Sequence, residues 1–199
     1  MREFHSGAWA SSSQDFVHLA KDLFALSAKY SKKIDGNCSP YTLAGVPMLF
    51  SALRCLLIEL NSGMWGEPHQ AVLDDLAERF NDVKPIVKHY PIPEDLQRHL
   101  GLLLQVRHEI LHPAHRPGGE ADNTPGYLRP LRELKVLQST GEETDYPWIS
   151  QLKSHRLFEW SFETIRSTVD LLLREHHVEP SQARDLMASY SPDERSGGA

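Results

Sequence analysis

The densest set of reactive side chains in this 199-residue sequence is one hexapeptide, Arg107-His108-Glu109-Ile110-Leu111-His112. Imidazole titrates near neutral pH, so each histidine can take or give a proton, and it is also the commonest metal ligand. Arginine stays charged and matches phosphate oxygens with parallel N–H donors. The same six residues therefore offer two chemistries. In the first, Arg107, His108 and His112 act on a phosphodiester without metal. A histidine can take or give a proton beside a phosphate that the guanidinium holds and stabilises. In the second, His108 and His112 lie one turn apart on the same side of a helix with Glu109 after the first, the spacing of a two-histidine zinc site. That site needs a third ligand, for which Glu133 or His155 could serve, and a helix that continues, whereas Pro113 follows at once.

These residues close a helix expected over about Glu94 to Leu111. Leu96, Leu100, Leu103, Ile110 and Leu111 recur as its buried stripe, and Arg107 falls on that stripe. An arginine there costs stability unless its charge is paired or opens into a site. Glu59 on an earlier helix is the structural partner the sequence offers. Arg107 and His112 are five positions apart, about 140° around an ideal helix and about 7.5 Å along it. They can line opposite sides of a phosphate-sized gap, most readily if a second copy of the helix faces the first. The plain alternatives are that His112 caps the helix C-terminus, where the dipole favours a cation, and that His108 is a surface residue.

The elements around this helix read as helical almost throughout. Phe16, Leu19, Ala20, Leu23, Leu26, Tyr30 and Ile34 form a first stripe, with Ser12 or Ser13 as its cap, stopped at Asp35-Gly36-Asn37. A second helix, about Thr42 to Leu60, carries Val46, Leu49, Phe50, Leu53, Leu56, Leu57 and Leu60 over a wide arc, so it should be the most central element, with Pro47 in its first turn. A shorter helix is expected over about His69 to Asn81. A last long one, about Trp148 to His177, has Phe158, Phe162, Ile165, Val169, Leu172 and Leu173 on one face. Between the fourth and last long helices lies an irregular insert, about 113 to 147, rich in Pro and Gly with one short helix near Leu128 to Leu137. The expectation is an all-α antiparallel helical bundle of four to five long helices, one domain over 1–190, with a polar tail over 191–199.

On this order of elements, Arg107-His108-x-x-x-His112 resembles the motif of the HEPN superfamily: arginine, a polar residue, three variable residues, histidine. The resemblance covers six residues as a motif and about 12–177 as an architecture. It implies an all-helical bundle that dimerises where the motif closes a late core helix. It also implies a metal-independent endoribonuclease with Arg107, His108 and His112 as catalytic residues, no cofactor, and products with 2′,3′-cyclic phosphate and 5′-hydroxyl ends. Such proteins occur in toxin–antitoxin and phage-defence settings, so an antitoxin or other protein is an expected partner beside RNA. Non-catalytic members of the fold make a binding or scaffold protein the main alternative. The letters His108-Glu109-x-x-His112 also look like a zinc-metallohydrolase signature, the lesser alternative.

Arg116, Arg129 and Tyr127 in the insert are candidate substrate-binding residues, the arginines for phosphate and the tyrosine for stacking on a base; Arg132 and Tyr146 extend the same set. Leu102 and Trp160 read as exposed-side hydrophobics suited to a homodimer interface, with part of the Trp148, Phe158 and Phe162 patch. Twenty-one Lys and Arg against 27 Asp and Glu give a formal charge of −6, which excludes a broad basic nucleic-acid sheath but leaves room for a local cationic pocket. Cys38 and Cys55 alone form neither a zinc cluster nor a disulfide framework. No apolar leader or long apolar run stands out, so a cytoplasmic protein with no membrane partner is expected.

Overall fold

A computed structural model describes residues 12–33, 38–79, 82–113, 125–137 and 148–192. Helix α1 spans Ser12–Ser31, α2 Tyr41–Asn61, α3 Gln70–Glu78, α4 Lys84–His89 and α5 Glu94–Leu111. They are followed by α6 Leu128–Glu133, α7 Trp148–Gln151, α8 His155–Glu175 and α9 Pro180–Ser189. Among the described residues there is no strand beyond one isolated bridge between Cys38 and Ser154. The chain is an all-α helical bundle.

The wide apolar arc of α2 makes it the hub, packed against α1, α3, α5 and α8. All seven of its expected core residues are buried. The helix is long and apolar enough, by length and composition, to cross a membrane; in this fold 61% of that window is buried. Pro47 lies within the helix rather than in its first turn, because Tyr41 already opens it. The missing N–H leaves the Leu43 carbonyl without its usual partner.

Helix α1 departs from its apolar stripe. Ser13, Val17, Ala20 and Ser27 are buried, whereas Leu19 and Leu26 are 48% and 45% exposed. Small side chains on the inner face let α1 lie close against α2, and the two buried hydroxyls are satisfied by neighbours. Ser27 Oγ meets His155 Nδ1 at 2.8 Å. The Ser13 amide and hydroxyl both donate to the Glu59 carboxylate, at 3.0 and 2.6 Å. Glu59 therefore caps α1 from across the core, where a serine of α1 was expected to do so itself. It accepts an amide of the first turn, which has no intrahelical acceptor, and it faces the positive end of the dipole. Burial pushes its pKa up, against the pull of the two Ser13 hydrogen bonds.

A raised acid pKa means that the folded state holds its proton where the unfolded state has lost it. Stability from this group is thus present below the ordinary glutamate range and falls as pH rises through the raised value. Glu59→Gln should flatten that dependence in urea midpoints taken from pH 4 to 8, and Glu59→Ala should cost about 1–3 kcal/mol. An unchanged pH slope in Glu59→Gln would count against the buried cap.

The expected 148–177 helix is broken at Leu152-Lys153-Ser154, giving α7 and α8. The start of α2 and the loop before it hold the break: the Ser39 amide donates to the Lys153 carbonyl (2.5 Å), and Thr42 Oγ1, in the first turn of α2, to the Ser154 carbonyl (3.1 Å). Helices α4 and α9 were not expected. In α9, Pro180 stands in the first turn, and the Glu179 side chain accepts from the Ser181 and Gln182 amides. Leu186 and Tyr190 then anchor that helix in the core.

Helix α8 ends in a left-handed residue, His177 (φ 49°), with Val178 N–H on the Leu173 carbonyl and His177 N–H on the Arg174 carbonyl. This is a Schellman ending without the usual glycine. His177→Gly removes the Cβ strain of that conformation and should raise stability by about 1 kcal/mol in chemical denaturation. Lys135 (φ 56°) closes α6 in the same way.

Candidate functional site

The site forms where α5 ends against α2. Leu100, Leu103 and Val106 are buried, which fixes the rotation of α5 and holds Arg107 half-buried toward α2. The Arg107 guanidinium lies 5.2 Å from the centroid of the Phe50 ring, a cation–π contact. The partner expected from the sequence is replaced, because both Glu59 oxygens are taken by Ser13. Burial lowers the Arg107 pKa. Arg54, on the same helix as Phe50, is pushed down to about 10, first by burial and further by the Arg107 charge, with Cys55 opposing. Both guanidiniums remain charged at neutral pH.

His108 and His112 face solvent, with ring centroids 5.3 Å apart. Their pairing follows from the helix: His112 is the C-cap, and its backbone amide reaches the His108 carbonyl at 2.8 Å. The helix is thus closed by the His112 backbone, and its ring stands against that of His108. Leu111 between them is 45% exposed, not part of the buried stripe. Chemically, the arrangement presents two solvent-accessible imidazoles at the end of a helix whose previous residue is a half-buried cation.

The flanking candidates do not all join it. Arg116 and Tyr146 lie outside the described residues, as do 114–124 and 138–147 of the insert. Tyr127 is only 7% exposed, so its ring is core and not a stacking platform. Arg129 is exposed and pairs with Glu133 one turn on, at 3.2 Å. Arg132 reaches Gln151 at 3.0 Å and so ties α6 to α7. Leu102 and Trp160, expected on an outer surface, are buried within the single chain, and so are Phe158 and Phe162. Three of the four lie on α8, which buries two adjoining faces rather than one, and Leu102 is buried on α5.

As to metal, no group of three or more His, Cys, Asp or Glu among the described residues is placed to hold an ion. Neither suggested third ligand joins the histidine pair: Glu133 is with Arg129, and His155 packs on Phe24 and Ser27.

Two further polar clusters went unread in the sequence. Ser27, His155 and Glu159 have the letters of a nucleophile, base and acid, with His155 Nε2 3.5 Å from Glu159. Ser27 is fully buried, so no substrate reaches its hydroxyl, and burial holds the His155 pKa down. Asn61, Tyr90 and His176 form the second cluster. The Tyr90 hydroxyl is 2.9 Å from His176 Nε2 and 2.7 Å from the Asn61 amide nitrogen. It joins the ends of α2 and α8. Arg54 was also missed, although it is one of only two charged residues in the apolar α2, which is the signal that could have found it.

A scan of protein-family models finds no match, and searches of curated proteins and of solved structures find no relative.

Proposed function

We propose that this chain is a metal-independent endoribonuclease of the HEPN-like kind, acting through Arg107, His108 and His112. The observation that carries the reading is the exposed His108–His112 pair on the turn that follows Arg107. Transesterification needs little else. One imidazole takes the 2′-OH proton, the 2′-oxygen attacks phosphorus, and the 5′-oxygen leaves with a proton from a second acid. Arg107 bears the charge that builds on the non-bridging oxygens. The products are a 2′,3′-cyclic phosphate and a 5′-hydroxyl.

A homodimer completes the site in this reading, with one Arg and His set from each copy. The exposed Leu111 beside the histidines supports a contact there. RNA is the substrate, an antitoxin or other protein is a further partner, and the cytoplasm is where both would be met.

The test is incubation of the full chain with a panel of structured and single-stranded RNAs in chelator, with 2′-deoxy controls and light scattering in parallel. The expected result is cleavage of RNA alone, with cyclic phosphate ends, by a species of twice 22.6 kDa. Cleavage of the deoxy strand, or a requirement for zinc, would overturn the mechanism. Tight binding of RNA without any cutting would instead assign the protein to the scaffold class.

A further inference from the structure

We propose that His176 is the latch of an acid-sensitive joint where the ends of α2, α3, α4 and α8 meet: neutral, it holds α3 and α4 against the bundle, and protonated, it releases them. The latch uses none of the residues at the end of α5 and stands apart from the ribonuclease reading. Asn61 is the last residue of α2, His69 the N-cap of α3, Tyr90 the C-cap of α4 and His176 the C-cap of α8. The His69 amide donates to the Asn61 carbonyl at 3.0 Å. The oxygen of the buried Tyr90 hydroxyl lies 2.9 Å from His176 Nε2, 2.7 Å from Asn61 Nδ2 and 3.1 Å from Asn61 Oδ1. The His176 ring stands 5.7 Å from that of Tyr90 and 5.6 Å, edge-on, from that of His69. Four helix ends thus meet through these four residues.

A hydroxyl has one proton to give. With Asn61 Nδ2 donating to the Tyr90 oxygen, that proton goes to Nε2 of a neutral His176. A protonated His176 donates instead, and the tyrosine proton must turn to Asn61 Oδ1, the longest of the three contacts. It also sets a cation against His69. The titratable groups around the latch are His69 from α3, Tyr90 from α4, and Glu175 and His177 beside His176 itself, while α2 contributes the neutral Asn61. Burial, then the His69 and His177 charges, hold the His176 pKa down. A lowered imidazole pKa means that the closed joint binds a proton less well than the open one. The joint is therefore shut at neutral pH and opens as pH falls below about 6.5, the ordinary imidazole value. Helices α3 and α4 open together, because Asp75 of α3 accepts from His89 and Lys88 of α4 at 2.6 and 2.5 Å. A proton on His89 only tightens that clasp.

The experiment follows amide hydrogen exchange of the full chain from about pH 7.5 to about pH 5, each rate divided by that of an unfolded chain at the same pH. Protection of α3 and α4 should fall about fivefold or more over that range, and that of the α8 core should fall less. His176→Gln, which offers Tyr90 an amide but cannot titrate, should remove the fall. Tyr90→Phe should lower the protection of α3 and α4 already at neutral pH. The titration of Glu59 is kept apart, since it acts on α1 and in the opposite sense. Should His176→Gln fail to fold, the carbon-bound ring proton of His176 in the wild type decides. Its midpoint should lie below about 6.5 and coincide with the loss of protection. Constant protection in the wild type, a fall retained in His176→Gln, unchanged neutral-pH protection in Tyr90→Phe, or a ring midpoint at or above about 6.5 overturns the proposal.

Discussion

His112→Ala is expected to slow RNA cleavage about 10²–10⁴-fold while leaving RNA affinity and stability nearly unchanged. The reason is positional. His112 is exposed and contributes its backbone, not its ring, to the end of α5, where its amide binds the His108 carbonyl at 2.8 Å. Alanine keeps that amide, so the change should cost less than about 0.5 kcal/mol. What it removes is the imidazole that the proposed mechanism uses to transfer a proton. Single-turnover rates on one cleaved RNA, with a melting curve for each protein, measure both quantities. Equal turnover by the mutant would end the case for His112 as acid or base. The paired change His108→Ala divides the remaining work, because its ring touches that of His112 but its side chain also starts from within the helix. Arg107→Ala is a poorer probe, since it strips a half-buried cation from the Phe50 ring and so disturbs the packing of α5 on α2.

The largest loss of stability from a single methyl group should come from Gly45→Ala. A β-carbon at Gly45 would collide with three carbons of the Phe158 ring. In an open helix the same substitution would be favourable by up to about 1 kcal/mol, since alanine is the better helix former. Here the collision wins, because Phe158 is fully buried and has nowhere to go. Phe24 meets it edge-on at 5.3 Å and Phe162 stacks at 5.4 Å. Overpacking of a filled core should leave a net loss of about 2 kcal/mol or more, a fall in Tm of roughly 4–8 °C for a chain of this size. The double variant Gly45→Ala/Phe158→Leu should lose less than the sum of its parts, since the smaller side chain makes room for the methyl. A Gly45→Ala protein as stable as wild type would show that α2 and α8 are not in this close approach.

The boundaries of α5 and the buried arc of α2 were legible because their signals are local. Pro91 and Pro93 before Glu94, and Pro113 after Leu111, bracket one helix, and seven large apolar residues on α2 can only go inside. Pro180 behind Glu179 was equally local evidence for α9 and went unused. The motif Arg107-His108-x-x-x-His112 was legible as letters, and the exposure of its two histidines follows from the angle they make with the Leu100–Leu103–Val106 face.

Other features depended on partners far along the chain. The apolar stripe of α1 pointed to Leu19 and Leu26 as core. The face actually buried is Ser13, Val17, Ala20 and Ser27, because Glu59 and His155 wait opposite the two hydroxyls and small side chains permit close contact with α2. The same long-range logic took Glu59 from Arg107, gave Arg107 the Phe50 ring and Arg54 as neighbours, and drew Leu102, Tyr127 and Trp160 inward. By itself the sequence determined that the chain is helical, where its strongest helices stop, and that two histidines one turn apart follow an arginine at the end of one of them. These are matters of periodicity, breakers and side-chain type, read within a few turns. Only the tertiary structure decided which face of each helix is inner and which charge meets which partner, since those choices minimise unpaired polar groups and voids over all the helices at once.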